Sequence, residues 1–142
     1  MGKLRINCDG GARGNPGPAA AAFVVRDDNN NIVYKGSKYL GESSNNFAEY
    51  SAILLAFEWL IEKANKENVE ILNFFLDSEL AVKQLNGIYK VKDEKLRVLF
   101  MAIKEYIKKL TIPVTFSHVT RDKNQFADIL VNNTLDSVKS ST

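Results

Sequence analysis

Hydrophobic and polar positions alternate with a period of two at the start of the chain. In KLRINCDGG the apolar side chains Leu4, Ile6 and Cys8 are separated by polar ones, which predicts a strand ending at Asp9. AAAAFVVRD and IVYKGSKYL predict two more strands. The polar stretch DDNNN between them predicts a hairpin turn, because Asn and Asp tolerate left-handed backbone. These three consecutive strands predict an antiparallel meander.

A helical period replaces this alternation in NNFAEYSAILLAFEWLIEKANK, where apolar residues recur every three to four positions. VEILNFFLD then predicts a strand, SELAVKQLN a short helix and DEKLRVLFMAIKEYIKKL a longer one. PVTFSHV predicts the last strand, and NQFADILVNNTLDSV the last helix, before a flexible tail from about residue 138. This order predicts an α/β fold with a mixed sheet, antiparallel at one side and parallel at the other, covered by helices.

Composition narrows the class of protein without indicating a function. A chain of 142 residues with 45% hydrophobic and 25% charged residues predicts one globular domain over residues 1–142. The net charge of +2 permits a nucleic-acid partner but says nothing about clustering. Cys8 is the only cysteine, which excludes an intramolecular disulfide and predicts a reducing compartment, the cytoplasm. No segment approaches the roughly 20 apolar residues of a membrane span.

Four carboxylates lie at predicted element ends: Asp9 and Asp77 at the ends of the first and fourth strands, and Glu49 and Asp128 in the first turns of the first and last helices. Each has a purely structural explanation. Asn46 and Glu49 match a capping box, Asp77 could cap the following helix, and Asp128 could favour a positive helix end. Taken singly, each acid is better explained by structure than by catalysis.

Side-chain direction favours a shared site. Glu49 and Asp128 fall on the apolar stripes of their helices, and a buried carboxylate needs a cation or a hydrogen-bond network. Asp9 and Asp77 would lie side by side if the first and fourth strands were parallel neighbours. Acids without His or Cys partners suit Mg²⁺ or Mn²⁺ rather than Zn²⁺, and two such ions would serve phosphoryl chemistry. The stripes comprise Ile53, Ala56 and Leu60 beside Glu49, and Val131 and Leu135 beside Asp128.

Four segments, CDGGARGNPGPAA, SSNNFAEYSAILLAFEWL, FFLDSELAVKQLNG and HVTRDKNQFADILVNN, resemble the motifs of type 1 ribonuclease H in order and spacing. The resemblance implies a five-stranded mixed sheet with helices on both faces. It also implies an endonuclease that cuts the RNA strand of RNA–DNA hybrids and leaves 3′-hydroxyl and 5′-phosphate ends. Asp9, Glu49, Asp77 and Asp128 match the catalytic quartet that binds two Mg²⁺ ions, for which Mn²⁺ can substitute.

The resemblance also implies where the hybrid binds. The glycines after Asp9 would let the backbone approach ribose 2′-hydroxyls closely, and Ser44 matches a position that contacts a DNA phosphate. The implied nucleic-acid contacts are Gly10, Gly11, Asn15, Ser44, Asn45, Asn46 and Arg121.

A mobile histidine of the family matches His118, in the predicted loop leading to Asp128, and would move protons or help release product. A lone histidine could equally be structural. Arg121 is the alternative residue for this step, as a fixed cation that steadies the cleaved phosphate.

The chain departs from many family members in one region. NGIYKVKDEK is short and carries three lysines without the tryptophan-rich basic protrusion, so weak hybrid affinity is expected. We expect no separate hybrid-binding domain, and therefore a monomer of low processivity. Two alternatives stay open: a non-catalytic hybrid-binding module, and a nuclease that also cuts double-stranded RNA or is the detached nuclease part of a reverse transcriptase.

Overall fold

The computed structural model describes residues 2–63 and 68–140. Within them the chain forms one sheet and four α-helices. The strands are β1 (Lys3–Ala12), β2 (Gly17–Arg26), β3 (Ile32–Ser43), β4 (Ile71–Leu76) and β5 (Val114–His118). The helices are α1 (Asn45–Lys63), α2 (Glu79–Leu85), α3 (Glu94–Leu110) and α4 (Gln125–Ser140), and one 3₁₀ turn (Arg121–Asn124) precedes α4.

The sheet is mixed, with the strand order β3-β2-β1-β4-β5. β2 pairs antiparallel with both β1 and β3, whereas β4 pairs parallel with both β1 and β5. The predicted hairpin between β2 and β3 is present, closed by a 3.0 Å hydrogen bond from the Asp27 amide to the Asn31 carbonyl. The predicted fold class and the parallel pairing of the first and fourth strands are confirmed.

The two faces of the sheet are packed differently. On one face Leu4, Ile6 and Cys8 of β1 join the main core, which α1, α2 and α3 cover. On the other face small side chains of β2 meet α4, in a cluster of Ala20, Ala22, Val131 and Leu135. Helices therefore cover both faces, as predicted. None of the helices in the described ranges combines the length and apolar content needed to cross a bilayer.

Some boundaries differ from the sequence prediction. β1 does not end at Asp9 but continues to Ala12, because Gly10 and Gly11 keep their antiparallel pairing with β2. The last helix runs to Ser140, so helical backbone occupies positions predicted as tail from about 138. The long helix was predicted to reach residue 66, of which residues 64–66 lie outside the described residues.

Candidate active site

Four carboxylates meet where the parallel part of the sheet ends. The ladder between β1 and β4 stops at the pair Cys8 and Leu76, so Asp9 and Asp77 are the first residues beyond it on neighbouring strands. Asp9 is buried, with 8% of its surface exposed. The other three acids are partly buried. The carboxyl ends of parallel strands are where ligands bind in open sheets.

Glu49 reaches this point from α1 because the helix packs very close to β1. A side chain at Gly10 would overlap the Ala48 carbonyl group and the Glu49 amide, so only glycine permits this approach. Gly10 therefore has a packing role, whatever it contributes to ligand binding. The residues on Glu49's stripe, Ile53, Ala56 and Leu60, are all buried, as the pattern predicted.

Asp128 comes from the first turn of α4, on the opposite face of the sheet from α1. Val131 and Leu135, one and two turns further along the same stripe, are buried against β2. Asp128 and Asp9 are close enough for a hydrogen bond between their carboxyl groups, which helps to raise the pKa of Asp9.

The electrostatics confirm that the four acids are neighbours. Burial raises the pKa of Asp9 to about 8, and the charges of Asp77, Asp128 and Glu49 push it in the same direction. Burial also raises the pKa of Glu49 to about 7, opposed by a hydrogen bond with Ser78 and by the Arg121 guanidinium. Without a counter-charge this cluster retains protons that isolated carboxyl groups would lose.

The donors suit a hard divalent cation. All four are carboxylates, and the nearby Cys8 thiol is unsuitable because burial raises its pKa well above the ordinary value. Among the described residues, no group of three or more His, Cys, Asp or Glu side chains is arranged so that it could hold a metal ion as it stands. The cluster therefore has the chemistry of a magnesium or manganese site, and a cation would relieve the repulsion that raises the pKa of Asp9.

A groove of about 340 Å³, here called the carboxylate groove, opens in front of the acids. Asp9, Glu49 and Asp128 line it, and Arg121 enters it from the 3₁₀ turn. Asp77 lies outside its lining but acts on it through charge. The other lining residues are Gly10, Gly11, Ala12, Arg13, Asn45, Val131, Asn132 and Leu135.

The glycine-rich turn at the rim of this groove is tied to two helices. The Ala12 amide donates to the Asn45 Oδ1 atom at 2.8 Å, and the Asn45 amide donates to Asn15 Oδ1 at 3.0 Å. On the other side Arg13 forms an ion pair with Asp136 at 2.8 Å. Asn15 and Asn45 thus fix the turn, and each keeps its side-chain NH₂ group free of any bond within the described residues.

The predicted nucleic-acid contacts divide between two grooves. Gly10, Gly11, Asn45 and Arg121 line the carboxylate groove, whereas Asn15, Ser44 and Asn46 line a second groove of about 1230 Å³ that extends to the start of α3. Three acids, Glu42, Asp93 and Glu94, and one lysine, Lys95, also line the second groove. Basic residues are thus not in excess along the second groove, and the weak affinity expected from the missing basic protrusion stays a prediction.

The residues that cap α1 and α2 are not the ones that the sequence suggested. Ser44, not Asn46, caps α1, and its Oγ accepts from the Phe47 amide at 3.1 Å. Glu49 therefore lies beyond the first turn of α1, and no capping box forms. Ser78, not Asp77, caps α2 by accepting from the Ala81 amide at 3.2 Å. Neither acid is used as a helix cap.

His118 is the last residue of β5, within the predicted strand PVTFSHV, and does not lie in the loop that leads to Asp128. It pairs with Leu76, immediately before Asp77, and is exposed. Its charge lowers the pKa of Glu79, after a larger effect of Lys83. His118 does not line the carboxylate groove.

Asn124 is a site residue that the sequence prediction missed. It is 1% exposed, and its Nδ2 atom donates to the Cys8 carbonyl at 2.8 Å and to Asp77 Oδ2 at 3.4 Å. Its Oδ1 atom accepts from Asn7 at 3.0 Å. The only sequence signal was an Asn at the start of a helix, which is usually interpreted as a cap.

A five-stranded mixed sheet in this order, with acids at the end of its parallel ladder, defines the ribonuclease H-like class. Residues 7–134 match the family described as Reverse transcriptase-like. The structure of LC11-RNase H1 in complex with RNA/DNA hybrid superimposes with a TM-score of 0.90 at 39% identity, covering 95% of this chain and 98% of that one. The chain therefore belongs to the type 1 ribonuclease H family.

Two curated relatives are longer than this chain. Ribonuclease HI of Halobacterium salinarum is 34% identical over 135 residues, which is 95% of this chain and 65% of the relative. Bifunctional protein Rv2228c of Mycobacterium tuberculosis is 30% identical over 140 residues, which is 98% of this chain and 37% of the relative. The chain thus spans less than two thirds of the length of both.

Proposed function

We propose that the chain hydrolyses the RNA strand of RNA–DNA hybrids and leaves 3′-hydroxyl and 5′-phosphate ends. The convergence of four carboxylates on Asp9 is the observation that carries this proposal. Its placement in the ribonuclease H family, in which LC11-RNase H1 was crystallised with an RNA/DNA hybrid, gives the substrate class.

Asp9, Glu49, Asp77 and Asp128 would hold two Mg²⁺ ions, with Mn²⁺ as a substitute. When bound, such a pair activates a water molecule and stabilises the leaving oxygen of a phosphodiester. Asp9 is the central ligand in this proposal, because it is the most buried of the four and the charges of the other three all act on it.

The chain's own residues orient the reaction. The attacking water gives up a proton as its oxygen bonds to phosphorus, the bond from phosphorus to the 3′-oxygen breaks, and the 3′-oxygen takes up a proton. Asn124 holds Asp77 against β1 through hydrogen bonds to Asp77 and Cys8. Arg121 lies in the groove as a fixed cation for the phosphate, and His118 supplies or removes a proton from the end of β5.

RNA is distinguished from DNA at the rim of the carboxylate groove. The side-chain NH₂ groups of Asn15 and Asn45 and the backbone around Gly11 would bond to ribose 2′-hydroxyls. Asn46, exposed on α1, joins them. Ser44 would donate its hydroxyl hydrogen to a DNA phosphate, since its oxygen already accepts from Phe47.

A cleavage assay tests the proposal. RNA–DNA hybrid, double-stranded RNA and double-stranded DNA are each incubated with Mg²⁺, with Mn²⁺ or with chelator, and Asp9→Asn serves as the inactive control. Metal-dependent cleavage of the hybrid's RNA strand, with 5′-phosphate ends, is expected. Equal cleavage of double-stranded RNA would broaden the substrate class. Hybrid binding without cleavage would make the chain a non-catalytic module.

We expect a monomer in the cytoplasm. The single cysteine, Cys8, is buried in the core and has no partner for a disulfide within this chain. Sedimentation at several protein concentrations would test the oligomeric state.

A further inference from the structure

A second polar cavity lies on the α4 face of the sheet, separate from the carboxylate groove. This basic pocket has a volume of about 330 Å³ and is lined chiefly by Asn7, Arg26, Lys123, Asn124 and Phe126. It shares no lining residue with the carboxylate groove. The 3₁₀ turn separates the two, with Arg121 on the groove side and Lys123 on the pocket side.

Strand register concentrates positive charge at this pocket. Arg5 and Arg26 are direct partners across the antiparallel ladder of β1 and β2, an arrangement that costs stability because like charges repel. Lys35 of β3 is paired with Val24, two residues before Arg26, and so faces the same side. Arg26 and Lys123 line the pocket, Lys35 contacts the Phe126 ring that also lines it, and Arg5 lies beside Arg26.

Two of these cations, Arg26 and Lys35, are held in place by the Phe126 ring. The Arg26 guanidinium lies 5.8 Å from the centre of the Phe126 ring and the Lys35 ammonium 5.5 Å, and Arg26 donates to Asn7 Oδ1 at 3.5 Å. None of the four forms an ion pair with any residue in the described ranges. Asp122 is the single carboxylate that lines the pocket. Repelling cations on a preorganised surface favour an anion between them.

We infer that the basic pocket binds a phosphate of the nucleic acid, on the part of the strand that runs past Arg121 and out of the carboxylate groove. The inference rests on the proposed function. Continuity favours nucleic acid over an acidic peptide, because the same four-residue turn borders both cavities and its Asn124 contacts Asp77 on one side and Asn7 on the other. A guanidinium is also well matched to phosphate oxygens.

The test compares hybrid binding by Arg26→Gln, Lys123→Gln and the double variant with that of the unaltered protein. Lys108→Gln is the matched control, because it removes one positive charge elsewhere. Lys108 is an exposed lysine on α3, on the other face of the sheet. Affinity is measured in Ca²⁺ at several salt concentrations, for a short hybrid that fills only the groove and a long one that extends beyond it. Thermal melting checks that each variant is folded, and Arg26→Lys retains the charge.

Each pocket variant should weaken binding of the long hybrid several-fold and reduce its salt slope by about one, with a smaller effect on the short hybrid. Lys108→Gln should change neither. Equal long-hybrid affinity for the double variant and Lys108→Gln would overturn the inference while leaving the cleavage assay intact. Failure of the unaltered protein to bind or cleave any hybrid would overturn the proposed function, and this inference with it. Tighter, Arg26-dependent binding of an oligoglutamate peptide would assign the pocket to an acidic protein segment.

Discussion

The carboxylate groove and the basic pocket border the same 3₁₀ turn, yet they carry opposite charge. In the groove, burial and three neighbouring acids raise the pKa of Asp9 to about 8. At the pocket, Arg26 lies directly opposite Arg5 of the neighbouring strand. Each cluster is unfavourable on its own, because like charges repel.

The opposite charges indicate which kind of ligand each cavity is suited to bind. Repelling carboxylates call for a cation, and repelling guanidinium and ammonium groups call for an anion. A nucleic acid with its divalent ions supplies both: the ions satisfy the groove and the phosphates satisfy the pocket. Asn124 lies between the cavities and contacts an acid on one side and the Asn7 amide on the other, so the two charge clusters are held at a fixed separation.

The largest effect should come from removing one acid of the groove. Asp9→Asn and Asp77→Asn should each lower the hybrid cleavage rate by at least about 10³-fold, because the divalent ions lose a ligand. Glu62→Gln, an exposed acid on α1, should leave the rate unchanged. Single-turnover kinetics in Mg²⁺ measure this. Substantial Mg²⁺-dependent cleavage by either aspartate variant would refute the role given to the groove.

The next largest effect should distinguish a residue that transfers a proton from one that binds the phosphate by its charge. His118→Ala should lower the single-turnover rate by about 10²-fold with little change in hybrid affinity, because it removes a proton carrier. Arg121→Ala should mainly weaken binding, since Arg121 lies in the groove as a fixed cation. Rates and affinities are compared across pH. An unchanged rate for His118→Ala would make this exposed histidine structural.

The acids of the groove were predictable from sequence, whereas the partners that hold them were not. Alternation in β1 placed Asp9 on the face opposite from Leu4, Ile6 and Cys8, although β1 runs on to Ala12. Helical period placed Glu49 and Asp128 on buried stripes, so these side-chain directions follow from local pattern. The residue that caps α1 could not be predicted from the local pattern. SSNN offers four consecutive cap-type residues, and only the packed helix selects Ser44.

The basic pocket had no sequence signal at all. The four cations come from β1, β2, β3 and the 3₁₀ turn. The period of two says only that the strand residues Arg5, Arg26 and Lys35 point away from the main core. Their convergence depends on strand register and on where α4 begins, which are tertiary properties. Net charge concealed the cluster as well, because the total of +2 averages it with the acids of the groove.

A stability measurement tests the groove without any substrate. The pKa values of Asp9 and Glu49 are raised in the folded state to about 8 and about 7, so the folded protein binds protons more tightly than the unfolded chain. Their stabilising effect is therefore present at low pH and is lost as pH rises through about 7 and 8. In chelator, Asp9→Asn should be more stable than the unaltered protein at pH 8 by about 1–3 kcal/mol, and the difference should shrink towards pH 5.

Urea unfolding at both pH values measures this difference, with Glu62→Gln as the control that should show none. Addition of Mg²⁺ at pH 8 should stabilise the unaltered protein and have less effect on Asp9→Asn, since ligand binding to the folded state raises its stability. A pH-independent difference would mean that repulsion at Asp9 is not what the substitution relieves.

A smaller effect should appear at the uncharged rim of the carboxylate groove, where Asn45 lies. Asn45→Ala removes both the acceptor for the Ala12 amide and a free NH₂ group, so it should reduce the preference for hybrid over DNA duplex several-fold. Asn46→Ala keeps the Ala12 bond and should have a weaker effect. Affinities for hybrid, DNA duplex and a hybrid lacking 2′-hydroxyls near the cut measure the preference. Equal affinity of the unaltered protein for hybrid and DNA duplex would remove the basis for this role.

The smallest effect tests whether the basic pocket binds a negatively charged group. Asp122 is its single lining carboxylate, is exposed and belongs to the same turn as Lys123. Asp122→Asn should therefore strengthen binding of a long hybrid by about twofold, the scale of one screened surface charge, and the gain should disappear at high salt. Glu58→Gln, an exposed acid on α1 across the sheet, should give no gain. Weaker binding by Asp122→Asn would contradict an anion in the pocket, because it would mean that the carboxylate itself contacts the ligand.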